Sequence, residues 1–390
     1  MDSVMGSPVY ERLGVRRLIN GTSWRTNVGG SIMPPSVVEA MGEASRWFVD
    51  LDELNAKAGE IIARLTGADA GLVTAGSAAG MLLEAAACMT GGDPAKVQQL
   101  PDTTGMKNEI VIQWAHRVSY DNAFRTAGAK LIQIGGVGAT HSWELEMAIN
   151  ENTAAVAHVF ASPAQGSLPL SQVVEIAHAR GVPVIVDAAA MLPPPENLTR
   201  YIAMGADMVS YSGGKGVRGP QSTGILCGRN DLIEAAYANS SPNSYAVGRA
   251  AKVCKEEIAG LVTALEMFVD TDHQALMVNW RAHCQHIVEA LQDIEGVRPA
   301  LADAMPDLDE FESSTPRAFV HLEPSYKGPG QGEIIDRLAN GDPAVRVLPL
   351  GGDDWLPTVG TGVVVSPVNL LDGEAEIMAR RLREVLTGGR

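Results

Sequence analysis

The chain has 390 residues, a formal net charge of −16 and a sequence pI near 4.9. So acidic a balance argues against a non-specific grip on nucleic acid or an anionic membrane, and favours a small-molecule partner. Its four cysteines, Cys88, Cys227, Cys254 and Cys284, form no CxxC pair. That spacing argues against a zinc knuckle or a disulfide framework and points to free thiols in a reducing compartment. No stretch reaches the roughly 18 apolar residues of a membrane span, and MDSVMGSPVYERLG lacks the basic-then-apolar pattern of a signal peptide, so a cytoplasmic protein is expected.

In chain order, residues 35–66 read as helical, PSVVEAM and then LNAKAGEIIARLT, with Gly67 at the C′ position. Gly71-Leu-Val-Thr then leads through Ala75-Gly76-Ser77-Ala78-Ala79 into the helix-like MLLEAAACM: a strand, a small-residue turn and a helix. Short apolar runs follow at Glu109–Gln113, Lys130–Ile134, Ala154–Phe160, Pro183–Asp187, Met208–Tyr211 and Gly224–Cys227, with helical segments such as LSQVVEIAHARG between most of them. Strands that are apolar along their length and alternate with helices predict a mainly parallel sheet covered on both faces. From about residue 245 a long helical stretch runs onward to LQDIEG. Beyond it, Ala318–Leu322, Ala344–Val347 and Gly362–Val365 alternate with helices as a smaller α+β domain would. The expected organisation is an N-terminal segment 1–30, a large domain 31–245, a connecting helix 246–285 and a small C-terminal domain 286–390.

The segment with most chemistry is Ser210-Tyr-Ser-Gly-Gly-Lys215-Gly-Val-Arg-Gly-Pro220. A lysine after two glycines at a strand end is poorly explained as a solvated surface charge. The glycines let backbone approach a ligand, and a desolvated lysine has the lowered pKa that imine chemistry needs. The segment is no Walker motif, because Gly216 stands where a hydroxyl residue is required. Upstream, Asp187 closes the strand PVIVD. The separation suits one strand–helix–strand unit, which puts both residues at neighbouring strand ends, where α/β sheets place their sites. A lysine and a buried acid are what pyridoxal 5′-phosphate (PLP) requires, one for the imine and one to keep the pyridine nitrogen protonated. Taken alone, Asp187 also reads as a helix N-cap. Gly76-Ser77-Ala78-Ala79, opening a helix, offers backbone N–H groups and a hydroxyl to an anion such as the cofactor's phosphate.

With GSAAG, WAHRVSYDNAF, VIVDAAAMLPP and YSGGKGVRGPQSTG in this order, the chain resembles the fold-type I PLP-dependent enzymes. More narrowly it resembles the group containing selenocysteine synthase (L-seryl-tRNA selenium transferase) and D-glucosaminate-6-phosphate ammonia-lyase-like proteins. LINGTSWRTNVGGS and GDPAVRVLPL extend that resemblance over nearly the whole chain. It implies a fold-type I transferase fold, α/β with a mainly parallel sheet domain and a smaller C-terminal α+β domain, and PLP as cofactor. Lys215 would be the catalytic, imine-forming lysine and Asp187 the pyridinium partner. Ser77, Ala78 and Ser212 would lie at the phosphate, and His116, after the strand EIVIQ, would stack on the ring. Arg346 would clamp a substrate carboxylate, with exposed strand residue as its other reading. Arg218 faces either a phosphate or a partner subunit. Where many relatives hold a polar residue beside the PLP hydroxyl, this chain has Ser162-Pro163-Ala164-Gln165. Arg25, Arg117 and Arg125 read equally as pocket or surface. A homodimer or larger homo-oligomer is implied, because fold-type I sites commonly draw on two subunits.

Other signals carry less. Ile134-Gly-Gly-Val-Gly138-Ala-Thr-His141 has histidine where a dinucleotide fingerprint needs its third glycine. His283 and His286 share a helix face without a third ligand, so no metal is expected, and no GxSxG elbow is present. The expected reaction is α-proton abstraction followed by β-elimination from an amino acid or amino-sugar acid, giving a 2-oxo acid and ammonia. Racemisation or epimerisation, aldol cleavage of a β-hydroxy amino acid, and a PLP-binding regulator without turnover are the alternatives.

Overall fold

The computed structural model describes residues 7–160, 166–303, 315–351 and 360–388. The chain forms two compact units. One spans Ser31–Thr271; the other joins the N-terminal segment through Gly30 to the chain from Asp272 onward.

The larger unit is built on seven strands: β1 (Ala70–Thr74), β2 (Glu109–Gln113), β3 (Lys130–Ile134), β4 (Thr153–Val159), β5 (Val184–Asp187), β6 (Met208–Ser212) and β7 (Gly224–Gly228). Their order is β1-β7-β6-β5-β4-β2-β3. All pairs between β6 and β3 are parallel, whereas β7 runs antiparallel to both β6 and β1. It follows that β1, β2, β4, β5 and β6 end at one edge of the sheet, the edge from which β7 sets out. Every residue of β2, β4 and β7 is buried, as expected of strands covered on both faces. The core packed here includes Val111, Val156, Val184, Val186, Val209, Ile225, Tyr201 and Leu265.

The strand runs read from sequence match these elements to within a residue or two at their ends. The span 246–285, expected as one connecting helix, is instead two helices, Lys255–Asp270 and His273–Glu289. They part at Thr271, whose backbone is extended, and Asp272 caps the second helix by accepting the Ala275 N–H at 2.9 Å.

In the smaller unit, a four-stranded antiparallel sheet takes the order Leu348–Pro349, Gly362–Val365, Pro316–Leu322, Val297–Asp303. The helices His273–Glu289, Gln331–Asn340 and Glu374–Leu386 bury Ile287, Leu338, Met378 and Leu382 in one core with Val320 and Val363. The run expected as a strand over 344–347 is one over Ala344–Arg346, and a second short strand follows it. Ala344–Arg346 pairs in parallel with Leu18–Asn20, while Leu348–Pro349 joins the antiparallel sheet. The pairing with Leu18–Asn20 places the N-terminal segment within this unit.

Candidate active site

The common edge of the parallel strands gathers most of the residues singled out by sequence. Asp187 is the last residue of β5 and Ser212 the last of β6. Lys215 lies in the connection from β6 to β7, Ser77 and Ala78 open the helix after β1, and His116 ends the short turn after β2. Asp187 is buried, at 7% exposure, and accepts the Ala189 N–H at 2.9 Å through Oδ1. Burial raises its pKa, against that hydrogen bond and the charge of Lys215. Although Lys215 keeps part of its surface open, burial lowers its pKa, with Asp187 opposing. Each group therefore feels the other's charge, in a setting where a neutral lysine amine, the nucleophilic form, is favoured more than in water.

The lysine loop is held by backbone. Gly213 N–H donates to Thr223 O at 2.9 Å, Gly219 N–H to Gly213 O at 2.8 Å, and Arg218 N–H to Lys215 O at 3.0 Å. Ser31 Oγ donates to Gly214 O at 3.0 Å and Arg218 Nε to Ile32 O at 3.0 Å. Gly216 lies so close to the Leu192 carbonyl that a Cβ would meet its oxygen at 2.2 Å, so the residue after the lysine has to be glycine. Arg218 has φ +61, a left-handed backbone that a bulky residue holds only at a cost.

The helix Gly76–Thr90 begins without a side-chain cap and without an acid in its first turn, so its first N–H groups and positive dipole end are left for an anion. Gly76 itself has φ +78, a turn that glycine makes cheaply.

His116 is buried, its Nδ1 lying 3.4 Å from the Val159 N–H, and burial depresses its pKa to about 4. Edge-on to it at 4.4 Å stands His158 of β4, a residue that sequence reading passed over within the apolar run AAVAHVF. The signal was there: a histidine inside an apolar strand is a buried polar group that needs a reason. His158 Nδ1 is buried with no hydrogen-bond partner among the described residues, and burial with His116 beside it holds its pKa well below the usual range.

Both imidazoles are therefore neutral in the folded chain but protonate near pH 6.5 in the unfolded one. Their stability contribution is present above that pH and is lost as pH falls below it, for His116 down to about 4, a loss of about 3 kcal/mol. The histidines' share of the melting temperature is expected to fall from pH 7 to pH 5, so the profile of His158→Phe should drop less, or rise more, over that range than that of the wild type. Parallel pH profiles for the two proteins would show that His158 does not carry the effect.

Of the other candidates, Arg346 is an exposed residue of the Ala344–Arg346 strand in the smaller unit, its backbone carbonyl accepting the Gly21 N–H at 2.9 Å. Arg117 and Arg125 both pair with the buried Asp121, by contacts of 2.5 and 3.4 Å. Ser162, Pro163, Ala164 and Gln165 lie outside the described residues. Among the described residues no cluster suits a metal ion.

A model of the SelA family, L-seryl-tRNA selenium transferase, matches residues 18–292. The chain belongs to the SelA family. Within the reach of this SelA-family chain is D-glucosaminate-6-phosphate ammonia lyase of Salmonella typhimurium, 34% identical over 97% of this chain and 97% of the relative. The 5′-C-glycyluridine monooxygenase-decarboxylase of a Streptomyces species is 31% identical over 97% of this chain and 92% of its own length. A solved structure of D-glucosaminate-6-phosphate ammonia-lyase superposes with a TM-score of 0.83 and 32% identity, covering 98% of this chain and 99% of that one. The SelA-family chain has the fold of fold-type I PLP-dependent enzymes, a mainly parallel sheet with helices and a smaller antiparallel-sheet unit.

Proposed function

We propose that the protein is a PLP-dependent lyase that takes the α-proton from an amino acid or amino-sugar acid and eliminates a group from Cβ, releasing a 2-oxo acid and ammonia. The observation that carries this reading is the electrostatically coupled pair Asp187 and Lys215 at the edge where the uncapped helix Gly76–Thr90 also begins, in a chain 34% identical to an ammonia lyase over its length.

The residues fit the cofactor. The buried carboxyl of Asp187 suits a protonated ring nitrogen, the desolvated Lys215 suits covalent attachment, and the free first turn at Ser77 and Ala78, with Ser212, suits a phosphate. His116 is the flat side chain that would cover the ring. When bound, PLP supplies an electron sink conjugated to the substrate's α-carbon. Lys215 Nζ takes the α-proton, which its depressed pKa makes it able to do as a neutral amine. The electron pair of the broken Cα–H bond forms the Cα–Cβ double bond as the Cβ substituent leaves with its own pair. The released enamine takes up water to give the 2-oxo acid and ammonia. Arg346 is assigned to the substrate carboxylate on chemistry alone.

Arg218 is assigned to an anionic group of the substrate, such as a sugar phosphate. Its left-handed backbone, three residues from Lys215, costs about 1–2 kcal/mol and is retained where it serves a site. In Arg218→Gly, relief of that strain offsets the lost bond to Ile32, so melting is expected to shift little. The KM for a phosphorylated amino-sugar acid should rise at least about tenfold, against little change for an unphosphorylated one. Equal effects on both substrates would remove Arg218 from the anion pocket.

Proton NMR in D₂O with a panel of D- and L-amino acids and amino-sugar acids tests the reaction. A 2-oxo acid formed without an added amino acceptor establishes the lyase; deuterium at an otherwise intact Cα establishes a racemase or epimerase and overturns it. The 31% relative named a monooxygenase-decarboxylase supports a second reading, which oxygen uptake with release of CO₂ in the same samples would reveal.

We also propose a homo-oligomer in the cytoplasm. The loop Trp47-Phe48-Val49 is exposed, Phe48 fully so, as a chain that lends apolar surface to a second copy would present it. All four cysteines are free, which suits a reducing compartment.

A further inference from the structure

The helix Gly76–Thr90 carries a single acidic residue, Glu84, and the fold buries it completely. It stands two turns beyond Ser77 and so on the same helix face. Ser210 Oγ donates to Glu84 Oε1 at 3.0 Å, while Oε2 is buried without a hydrogen-bond partner among the described residues. Ser210 is the Cα partner of Asp187 across β5 and β6, so both side chains leave the same face of the sheet. Gly80, one turn before Glu84, lets the helix approach this closely: a Cβ there would meet Ser210 Oγ at 2.5 Å.

Two carboxyl groups are thus buried on one face with one serine between them. Ionising both would leave two negative charges in a desolvated space, and the second would have to be compensated. Their partners decide which one carries the charge. Asp187 accepts a backbone N–H and feels the Lys215 cation. Glu84 has one hydroxyl donor and an orphan oxygen. Among the described residues, the ionisable groups found to interact with its charge are Asp187 on β5, Cys88 on its own helix and Cys227 on β7, and these supply no positive charge. Arg229, which reaches Cys88, is held by Asp207 and Asp231. On the neighbouring helices Arg125, Asp231 and Glu234 are exposed and Lys96 partly so, while Phe124, Val97, Ala235 and Ala236 are buried.

We infer that Glu84 is carried as a neutral carboxylic acid, leaving Asp187 as the single negative charge of the buried pair. Glu84 is then a positioning residue: held neutral against Ser210, it places no second charge beside Asp187, which stays ionised. Its value to a cofactor's ring nitrogen rests on the PLP reading above; the charge assignment does not.

The sign of the test follows from linkage. A glutamic acid with a raised pKa in the folded chain binds a proton that the unfolded chain releases above pH 4.5, so this group's contribution to stability is lost as pH rises above that value, against the opposite contribution of His116 and His158, which both proteins share. Glu84→Gln has no such loss. Melting of both proteins between pH 5 and pH 8, with and without PLP, should show the variant gaining on the wild type by at least about 3 °C. A constant difference, or a variant that falls behind as pH rises, would overturn the assignment. Glu84→Met, uncharged and of similar reach, runs the same comparison should the glutamine variant not fold. Failure of both at every pH would mean that an ionised Glu84 holds the fold, and would also overturn it. PLP binding by Glu84→Gln at pH 7 should stay within about threefold of wild type, and a loss beyond about tenfold would refute the positioning role. If the wild type binds no PLP, the cofactor reading fails while the cofactor-free melts still report on Glu84.

Discussion

Lys215→Ala is expected to fold, to retain at most weakly held cofactor, and to lose turnover by about 10⁴-fold or more. Removal of a positioned proton-transfer group alone accounts for about 10²–10⁴-fold. Loss of the covalent attachment point adds to this, because substrate must then find cofactor that nothing anchors. The fold should survive because the loop around Lys215 is tied by backbone bonds that do not use its side chain, from Gly213 to Thr223 and from Gly219 to Gly213. Removing the lysine also leaves Asp187 without the charge that lowers its pKa, so the aspartate becomes easier to protonate. The check is borohydride reduction followed by mass measurement of the protein, together with α-proton exchange in D₂O. A borohydride-stable adduct in the variant would take Lys215 out of the imine role, and exchange near the wild-type rate would take it out of the role of base.

How far the sequence alone reaches differs between elements, for physical reasons. Buried parallel strands are continuous apolar runs, and β2, β4, β5 and β6 show as such because both of their faces are covered. The reversal of β7 does not show, since GILCG is as apolar as its parallel neighbours and direction leaves no mark in periodicity. Leu18–Asn20 is too short to register, and Val297–Asp303 contains Pro299, which reads against a strand although an edge position tolerates it. The break at Thr271 has a signal in the capping Asp272, overridden by the helical pattern on either side of it.

At the candidate site, the placement of Asp187 at a strand end with Lys215 in the next connection was legible because the chemistry proposed for them fixes both residue type and spacing. Glu84 and His158 were not, because each lies in an apolar run, MLLEAAACM and AAVAHVF, that is fully explained by burial. Only the partners found in three dimensions, Ser210 for one and His116 for the other, show that these polar groups are part of the surroundings of the site.

Asp187→Asn is expected to keep the fold and lose α-proton abstraction by on the order of 10²-fold or more. Asparagine preserves the size of the side chain and, through its carbonyl, the hydrogen bond from Ala189, so the β5 end should stay in place. What goes is the negative charge. Without it, the side chain would no longer offer a counter-charge to the protonated ring nitrogen of a bound PLP, and the electron sink that the cofactor would supply would be weaker. The Lys215 ammonium loses its neighbour too, and since Asp187 opposes the effect of burial on that group, its pKa should fall further. Raising the pH therefore cannot rescue the variant, because the lysine is already neutral in greater proportion and the deficiency lies in the acceptor. Asp187→Ala should bind cofactor more weakly still, as it also leaves the Ala189 N–H without its partner. The measurement is the rate of α-deuterium incorporation from D₂O at saturating PLP across pH. Near-normal exchange in Asp187→Asn would mean that another group protonates the ring, and among the buried acids of this face the next to test is Glu84.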